Sequence, residues 1–359
     1  PEPEVFYEYF VSAAAAEEGD GSLERPFRTI GAAVAAAGPG DIVTVRGGTY
    51  SEAVVFPKSG TTAHPITLRA YAGETPLISG RVLAWHGTSF CLVLVSGVSN
   101  ITVEGFEIAD LVIDDSKREV NGVVVNDGAT SVTLRNLHIH DIKNLAEDEY
   151  PGAHAIHIVG NTSKAVRNAV VTGCRIHDCV TGTSETVTAN GYVDGFTISG
   201  NEIYRCSNIA IDAAGGYAAN SDPSRNYARN GIICDNVLYN IENSLGGRLR
   251  DGYGAIAIYA DGARNITIER NRIFCSDRGI GIVSETNAYP TTGCIVRNNI
   301  VYGCWRTGIY LGGYLNYTTG GTENCYVVNN TLCGNNRIEG HFGEIEGEIR
   351  LTENCRNNK

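Results

Sequence analysis

One acidic side chain interrupts a short run of small and aliphatic residues, at Asp212 in Ile209-Ala-Ile-Asp-Ala. A carboxylate that points outward from such a strand has room beside it for a ligand. It can transfer protons as a general acid or base, or bind Ca²⁺ through its oxygens. Asp212 is therefore the first candidate for a catalytic residue and for a metal ligand. A solvated surface carboxylate is the alternative interpretation.

Polar and aromatic residues near Asp212 in the repeat pattern complete the predicted site. As further catalytic residues we predict His157, Arg229, Tyr259 and Asp251. As substrate-binding residues we predict Thr188, Asn190, Tyr310, Glu185 and Arg250. Calcium, the one predicted cofactor, would bind Asp212 and Asp251. The alternatives are turn residues for an Asp before Gly, such as Asp261, packing for the tyrosines and surface ion pairs for the arginines.

These residues lie in a repeat. A strand such as Phe196-Thr-Ile-Ser-Gly-Asn-Glu-Ile or Ile266-Thr-Ile-Glu-Arg-Asn-Arg-Ile recurs about every 30 residues, with a second short strand between successive copies. The second strands alternate in period two, so one face is aliphatic. We align them through inward residues Ile156, Val187, Ile211, Ile256, Ile280 and Ile309. This register puts His157, Thr188, Asp212, Ala257, Gly281 and Tyr310 in one outward column, and His154 on the opposite face from His157.

Short strands with one pair per repeat are typical of a solenoid, in which each coil stacks on the next. The sequence predicts an all-β, single-domain, right-handed parallel β-helix. Residues 1–50 would supply an N-terminal strand and a capping helix over 28–38, and residues 51–359 the coils. Asn136, Asn201, Asn236, Asn271, Asn298 and Asn329 would form an asparagine ladder at one corner. Most cysteines would stack as small core residues, with Cys174–Cys179 and Cys275–Cys304 as candidate bridges.

The N-terminal segment carries a family resemblance. Gly19-Asp20-Gly21-Ser22, Pro26-Phe27-Arg28-Thr29-Ile30, Pro39-Gly40-Asp41 and Gly47-Gly48-Thr49-Tyr50 resemble the opening of secreted right-handed parallel β-helix proteins with the pectate-lyase-like fold. That resemblance implies the fold, a polysaccharide substrate and a polysaccharide lyase as the first activity to consider. The segment from Ser184 to Asp212 resembles a bacterial subgroup without an assigned activity.

Charge and composition limit the classes of partner that the protein can have. The net charge of −12 argues against a nucleic-acid binder, and no apolar run is long enough to span a bilayer. Eleven cysteines, a first residue that is not methionine, and Asn-X-Ser/Thr sites favour a secreted glycoprotein, with Asn161 and Asn316 as predicted glycosylation sites. The oligomeric state stays open.

Three functions remain. A lyase that cleaves a uronate-containing polysaccharide by β-elimination is preferred, although no lysine occurs between 165 and 358 to act as the base. His157, Arg229 or a tyrosine would have to serve, unless Lys143 reaches the site from its loop. A glycoside hydrolase with two carboxylates, such as Asp212 with Asp251 or Glu185, is the second possibility. A non-catalytic glycan-binding or structural β-helix is the third.

Overall fold

The computed structural model describes residues 4–16, 19–338 and 346–359, and shows one right-handed parallel β-helix of about 11 turns. The predicted fold class is confirmed. The α-helix spans Ile30–Ala36, within the predicted 28–38, and the side chain of Thr29 caps it by accepting a hydrogen bond from the Ala32 amide. A short 3₁₀ turn spans Asn243–Leu245. No helix in the described ranges is long and apolar enough to cross a membrane.

Three long parallel sheets run along the solenoid, because most coils contribute one strand to each. The first sheet has 11 strands: Glu8–Val11, Ile42–Val45, Ile66–Ala70, Ile101–Glu104, Val132–Arg135, Val166–Thr172, Val193–Ser199, Arg229–Cys234, Thr267–Glu269, Ile295–Arg297 and Tyr326–Val328. The second sheet has 10: Val54–Val55, Ser89–Ser96, Glu119–Asn126, Gly152–Gly160, Glu185–Gly191, Ile209–Ala214, Ile256–Asp261, Arg278–Ser284, Ile309–Gly313 and Ile349–Leu351.

The third sheet also has 10 strands: Gly48–Tyr50, Pro76–Ser79, Glu107–Ile113, His138–Asn144, Arg175–Cys179, Glu202–Cys206, Val237–Ile241, Arg272–Phe274, Ile300–Tyr302 and Thr331–Cys333. A short fourth sheet joins Pro290–Thr292, Gly321–Glu323 and Cys355–Arg356. The predicted second strands of the repeat are the strands of the second sheet, so this sheet positions the candidate site.

The register of the second sheet corrects one of the predicted alignments. Val187 pairs with Ile211 as expected, but Ile211 pairs with Ile258 and not with Ile256. The slip is two residues, so the inward aliphatic pattern is preserved while the outward residues change. Tyr259, and not Ala257, is therefore the neighbour of Asp212.

Strict alternation also fails, because most strands of this sheet bend. Ala155 and Ile156 are consecutive and both lie in the core, as do Ala210 with Ile211. The bend position is held by small residues in successive coils: Gly122, Ala155, Thr186, Ala210, Ala257, Gly279 and Gly308. A Cβ on Gly279 would lie 2.2 Å from the Gly308 carbonyl oxygen, so a larger residue does not fit there. Ala210 and Ala257 both lie in the core, so Ala257 does not belong to the outward column predicted for it.

An asparagine ladder stabilises one corner, shifted by one residue from part of the prediction. Its side-chain amides join Asn201 to Asn236, Asn236 to Asn271, Asn271 to Asn299 and Asn299 to Asn330, at 2.9–3.0 Å. The predicted Asn298 and Asn329 instead adopt the left-handed backbone, with φ of 57° and 55°, just before the ladder residue. All eleven cysteines are free thiols, so neither candidate bridge forms.

Candidate functional site

The bend brings residues three apart in sequence to the same outer surface of the second sheet. The rings of His154 and His157, predicted to lie on opposite faces, stack with their centroids 4.1 Å apart. One outward column contains His157, Thr188, Asp212, Tyr259, Gly281 and Tyr310. The next contains Val159, Asn190, Ala214, Asp261, Val283 and Gly312. We call this surface the outer face.

Asp212 lies at the centre of the outer face, between Thr188 and Tyr259, as the sequence predicts for a site centred on it. It is not solvated: only 2% of Asp212 is exposed, and its Oδ1 atom is buried without a hydrogen-bond partner. Asn190 also has a buried Oδ1 atom without a partner. Unpartnered buried oxygens are costly unless another group completes their hydrogen bonding, so they favour a ligand here.

Four acidic side chains form what we call the carboxylate row: Glu185, Asp212, Asp261 and Glu285. The Asp261 carboxylate, which sequence reasoning treated as a turn residue, is 1% exposed. Its Oδ1 accepts a hydrogen bond from the Glu285 amide at 2.7 Å, and its Oδ2 accepts one from the Tyr217 hydroxyl. Tyr217 belongs to the segment between the strands Ile209–Ala214 and Arg229–Cys234, and this segment therefore covers part of the row.

Burial and mutual repulsion shift the acid–base behaviour of the row. Burial raises the pKa of Glu185 to about 8, and the nearby charges of Glu285 and Glu119 add to this shift. Burial first, and then neighbouring carboxylates, raise the pKa of Asp212 and of Asp261 well above the ordinary value. Burial and repulsion therefore favour the protonated forms of these groups, and in that form a carboxyl group can donate a hydrogen bond or act as a general acid.

A cavity of about 580 Å³ opens beside the row and is lined by Tyr259, Arg278, Glu285, Tyr310 and Tyr314, among others. The Tyr259 hydroxyl donates a hydrogen bond to Glu285 Oε1 at 3.0 Å. The Arg278 guanidinium lies 5.1 Å from the Tyr310 ring centroid, and its Nε is buried without a hydrogen-bond partner. The cavity thus combines a cation, an acid and hydroxyl groups in a volume typical of a ligand site.

The structure brings most predicted site residues together: Asp212, Thr188, Asn190, Tyr259, Tyr310, Glu185 and His157 share the outer face. Three others lie elsewhere. Arg229 begins a strand of the first sheet and stacks on Tyr227, 3.9 Å from its ring centroid. Arg250 pairs with Glu147, and Asp251 is exposed beside it. Asp261, and not Asp251, is the aspartate that adds to the pKa shift of Asp212.

The predicted calcium site is not preassembled. Among the described residues, two groups bring three His, Cys or acidic ligand atoms within 4.8 Å of one another, and Asp212 belongs to neither. The oxygen chemistry of the row suits Ca²⁺, but the spacing does not form a cage. Calcium binding therefore stays a prediction. The predicted glycosylation sites Asn161 and Asn316 are both exposed, and their modification also stays a prediction.

Sequence reasoning missed Glu119, Asp261, Arg278 and Glu285. Asp261 would have been found by shifting the predicted register of the strand Ile256–Asp261 by two residues against the strand Ile209–Ala214. That shift places Asp261 beside Ala214. Arg278 follows from the bend, because it pairs with Ile256 on the same surface. Glu119 begins the strand Glu119–Asn126, and its side chain approaches His154 and His157 only across to the next coil.

The comparisons with known proteins agree with this architecture. The family model described as "Pel9A-like, right handed beta helix region" matches residues 9–206. The chain is also 32% identical over 349 residues to the protein YwoF of Bacillus subtilis (strain 168), an alignment that covers 97% of this chain and 72% of YwoF. The chain belongs to the Pel9A-like right-handed β-helix family.

Solved structures share the fold at low sequence identity. A GH136 lacto-N-biosidase from Eubacterium ramulus aligns with a TM-score of 0.65 and 13% identity, over 98% of this chain and 67% of that one. Pectate lyase Pel9A aligns with a TM-score of 0.58 and 15% identity, over 98% of this chain and 78% of that one. The fold is thus related to those of pectate lyases and other polysaccharide-active enzymes.

Proposed function

We propose that this protein is a lyase that cleaves an acidic, uronate-containing polysaccharide by β-elimination at the outer face. The observation that carries the proposal is the cavity that brings Arg278, with an unpartnered Nε, together with Glu285 of the carboxylate row and the hydrogen-bonded Tyr259 hydroxyl. Membership of the Pel9A-like family supports it. Elimination requires that the uronate carboxylate be neutralised, that the C5 proton be removed and that the leaving oxygen be protonated.

Charge neutralisation falls to Arg278 and the row. A guanidinium can bind a carboxylate through two parallel hydrogen bonds. Burial and the neighbouring carboxylates raise the pKa of Asp212, and in its protonated form Asp212 can donate a further hydrogen bond from its unpartnered side. A substrate carboxylate is therefore accepted rather than repelled by the row.

Proton transfer falls to the hydrogen-bonded pair Tyr259 and Glu285. The Glu285 carboxylate takes the C5 proton, the C4–O4 bond breaks as the C4=C5 double bond forms, and Tyr259 gives its proton to the leaving oxygen. The proton on Glu285 then returns to Tyr259 through their 3.0 Å hydrogen bond, which restores both groups. Burial raises the pKa of Tyr259, so the phenol is protonated at the start of each cycle. No lysine base is required.

The decisive experiment incubates the protein with polygalacturonate and with alginate, and measures ultraviolet absorbance of the unsaturated product together with reducing ends. Tyr259→Phe should lower the rate at least about 100-fold, the scale typical of losing a general acid. Tyr239→Phe is the matched control, because Tyr239 also donates to a glutamate, Glu202, at 3.0 Å but on the third sheet. Unchanged activity in Tyr259→Phe would reject this mechanism.

A glycoside hydrolase is the second candidate, favoured by the placement of Asp212 and Asp261. Asp261 lies on the adjacent strand and two residues further along, which puts the two Cα atoms about 8 Å apart for ordinary strand spacing and rise. Inverting hydrolases hold their two carboxyl groups about 6.5–9.5 Å apart, one of them protonated. Side chains on backbones spaced in this way can reach such a separation. Reducing ends without ultraviolet absorbance would identify this reaction. If neither signal appears on acidic or neutral glycans, both proposals are wrong and glycan binding remains.

Calcium can be tested in the same assay. A chelator should leave the rate unchanged if Arg278 and the protonated acids alone neutralise the substrate. Loss of activity that added Ca²⁺ restores would show that the ion takes part, with the row and the substrate together as ligands.

A further inference from the structure

At one end of the outer face, Glu119, His154 and His157 converge. Their ligand atoms all lie within 4.8 Å of one another. His157 Nδ1 is 3.6 Å from Glu119 Oε1, and His154 Nε2 is 4.0 Å from Glu119 Oε2. These separations are too long for good hydrogen bonds, so the three groups face a shared space. We propose that this cluster is a binding site for a divalent transition metal ion of the zinc type.

The spacing suits such an ion. Zinc lies about 2.0–2.2 Å from histidine nitrogens and carboxylate oxygens, which puts neighbouring ligand atoms of a tetrahedral site about 3.4 Å apart. The 3.6 Å and 4.0 Å separations of Glu119 from His157 and His154 exceed this by a few tenths of an ångström, a movement that side-chain torsions can supply. Two imidazoles and one carboxylate favour zinc, cobalt or nickel over calcium, which prefers oxygen ligands alone.

The surroundings hold the ligands in the form that binds a metal. His154 Nδ1 lies 2.7 Å from the backbone oxygen of Glu185, which can only accept, so Nδ1 carries the hydrogen and Nε2 presents its lone pair. The buried Asn121 amide donates to Glu119 Oε1 at 3.0 Å and orients the carboxylate. Outer hydrogen bonds of this kind fix ligand orientation in known metal sites.

The second cluster of this type, Glu107, His138 and His140 on the third sheet, is already satisfied. His140 Nε2 lies 2.9 Å from Glu107 and its Nδ1 2.7 Å from Asp141. His138 Nε2 lies 2.8 Å from a nitrogen of His177 and 2.9 Å from the Arg175 guanidinium. A metal ion there would have to break these contacts beside a fixed positive charge. It therefore provides an internal control.

The ion would have a role on the outer face. Three protein ligands leave a coordination position open, and Glu119 and His157 are only partly buried, so this position is accessible. Because Glu185 lies beside His154, the ion would place a positive charge at the end of the carboxylate row, where an anionic group of a bound glycan could coordinate.

The test is metal binding by the whole chain, independent of activity. Chelator-treated protein is titrated with ZnCl₂ by calorimetry, and with Co²⁺ by visible absorbance, which reports nitrogen ligation. We expect one ion per chain in the wild type. Glu119→Gln and His157→Ala should each weaken binding at least about tenfold, the scale of losing even an outer partner of a metal ligand. His138→Gln should bind as the wild type does.

Three results would overturn the proposal: no stoichiometric binding in the wild type, equal binding in Glu119→Gln, or loss of binding in His138→Gln. If His157→Ala does not fold, Glu119→Gln decides, because it conserves size and the oxygen that Asn121 contacts. An active protein that binds no zinc would refute this site alone, and an inactive protein that binds zinc would refute the lyase alone.

Discussion

Glu185 makes folding stability depend on pH in an unusual direction. Its side chain is 18% exposed, and burial together with the charges of Glu285 and Glu119 raises its pKa from 4.5 to about 8. Between these values the folded protein holds a proton that the unfolded chain releases. Stability is therefore highest at low pH with respect to this group, and falls as pH rises from about 4.5 to about 8.

The size of the effect follows from the shift. Each pH unit in this window lowers the free energy of unfolding by about 1.4 kcal/mol, so the loss reaches about 3 kcal/mol at pH 7. Glu185→Gln keeps the size of the side chain and cannot ionise. We expect this variant to match the wild type near pH 4.5 and to be about 3 kcal/mol more stable at pH 7. Removing a buried active-site acid commonly stabilises an enzyme in this way.

Urea unfolding of both proteins at several pH values across this window measures the difference. Glu24→Gln, which changes an exposed carboxylate far along the chain, is the matched control and should run parallel to the wild type. The acids of the row influence one another's titration. The quantity to compare is therefore the slope of the unfolding free energy against pH, which should differ between the two proteins by the equivalent of about one proton. Parallel curves for Glu185→Gln and the wild type, or a variant that loses stability with rising pH faster than the wild type, would refute this account of the row.

Other variants test the candidate site, the aliphatic core and the asparagine ladder. Asp212→Asn should abolish polysaccharide cleavage while the protein still melts cooperatively, whereas Asp194→Asn on the first sheet should stay active; equal activities would remove Asp212 from the site. Ile211→Asp buries an unpaired charge in a fully buried position and should not yield folded protein by circular dichroism, unlike the same change at the partly exposed Ile232. Asn236→Ala leaves the partners of the Asn236 side-chain amide buried without hydrogen bonds. It should lower the free energy of unfolding, measured in urea, by at least about 3 kcal/mol. Titration of the denatured, unreduced protein should count eleven thiols, and a lower count would show bridges.

The solenoid could be predicted because the sequence pattern that indicates it recurs in successive coils. Each coil has the same alternation of aliphatic and polar residues and the same polar corner. A wrong alignment of one repeat therefore does not obscure the pattern in the others. Asp212 was predictable for a related reason: a carboxylate in the middle of a strand such as Ile209–Ala214 has no turn to explain it. Physical context within one strand was enough to select Asp212 as a candidate, and its part in a reaction stays a prediction.

The rest of the site depends on geometry between coils. The register of Ile256–Asp261 is ambiguous from sequence, because Ile256 and Ile258 both fit an inward column, and only the neighbouring strands decide between them. The bend at Ala155 and Ala210 breaks the period of two on which the face assignment relied. Arg229 and Asp251 were predicted to lie in the site because they are close to its strands in sequence. A residue in or beside a loop can, however, lie on any of the three faces of the solenoid.

The bend in each strand of the second sheet also bears on how such proteins can diversify. Because residues three apart in one strand meet on the outer face, a single coil can present two side chains in direct contact, as His154 and His157 do. A new reactive pair can therefore arise from substitutions within one repeat, without any matching change in adjacent repeats. Duplication of a coil would copy such a pair intact, and leave the inward aliphatic columns free to stay as they are.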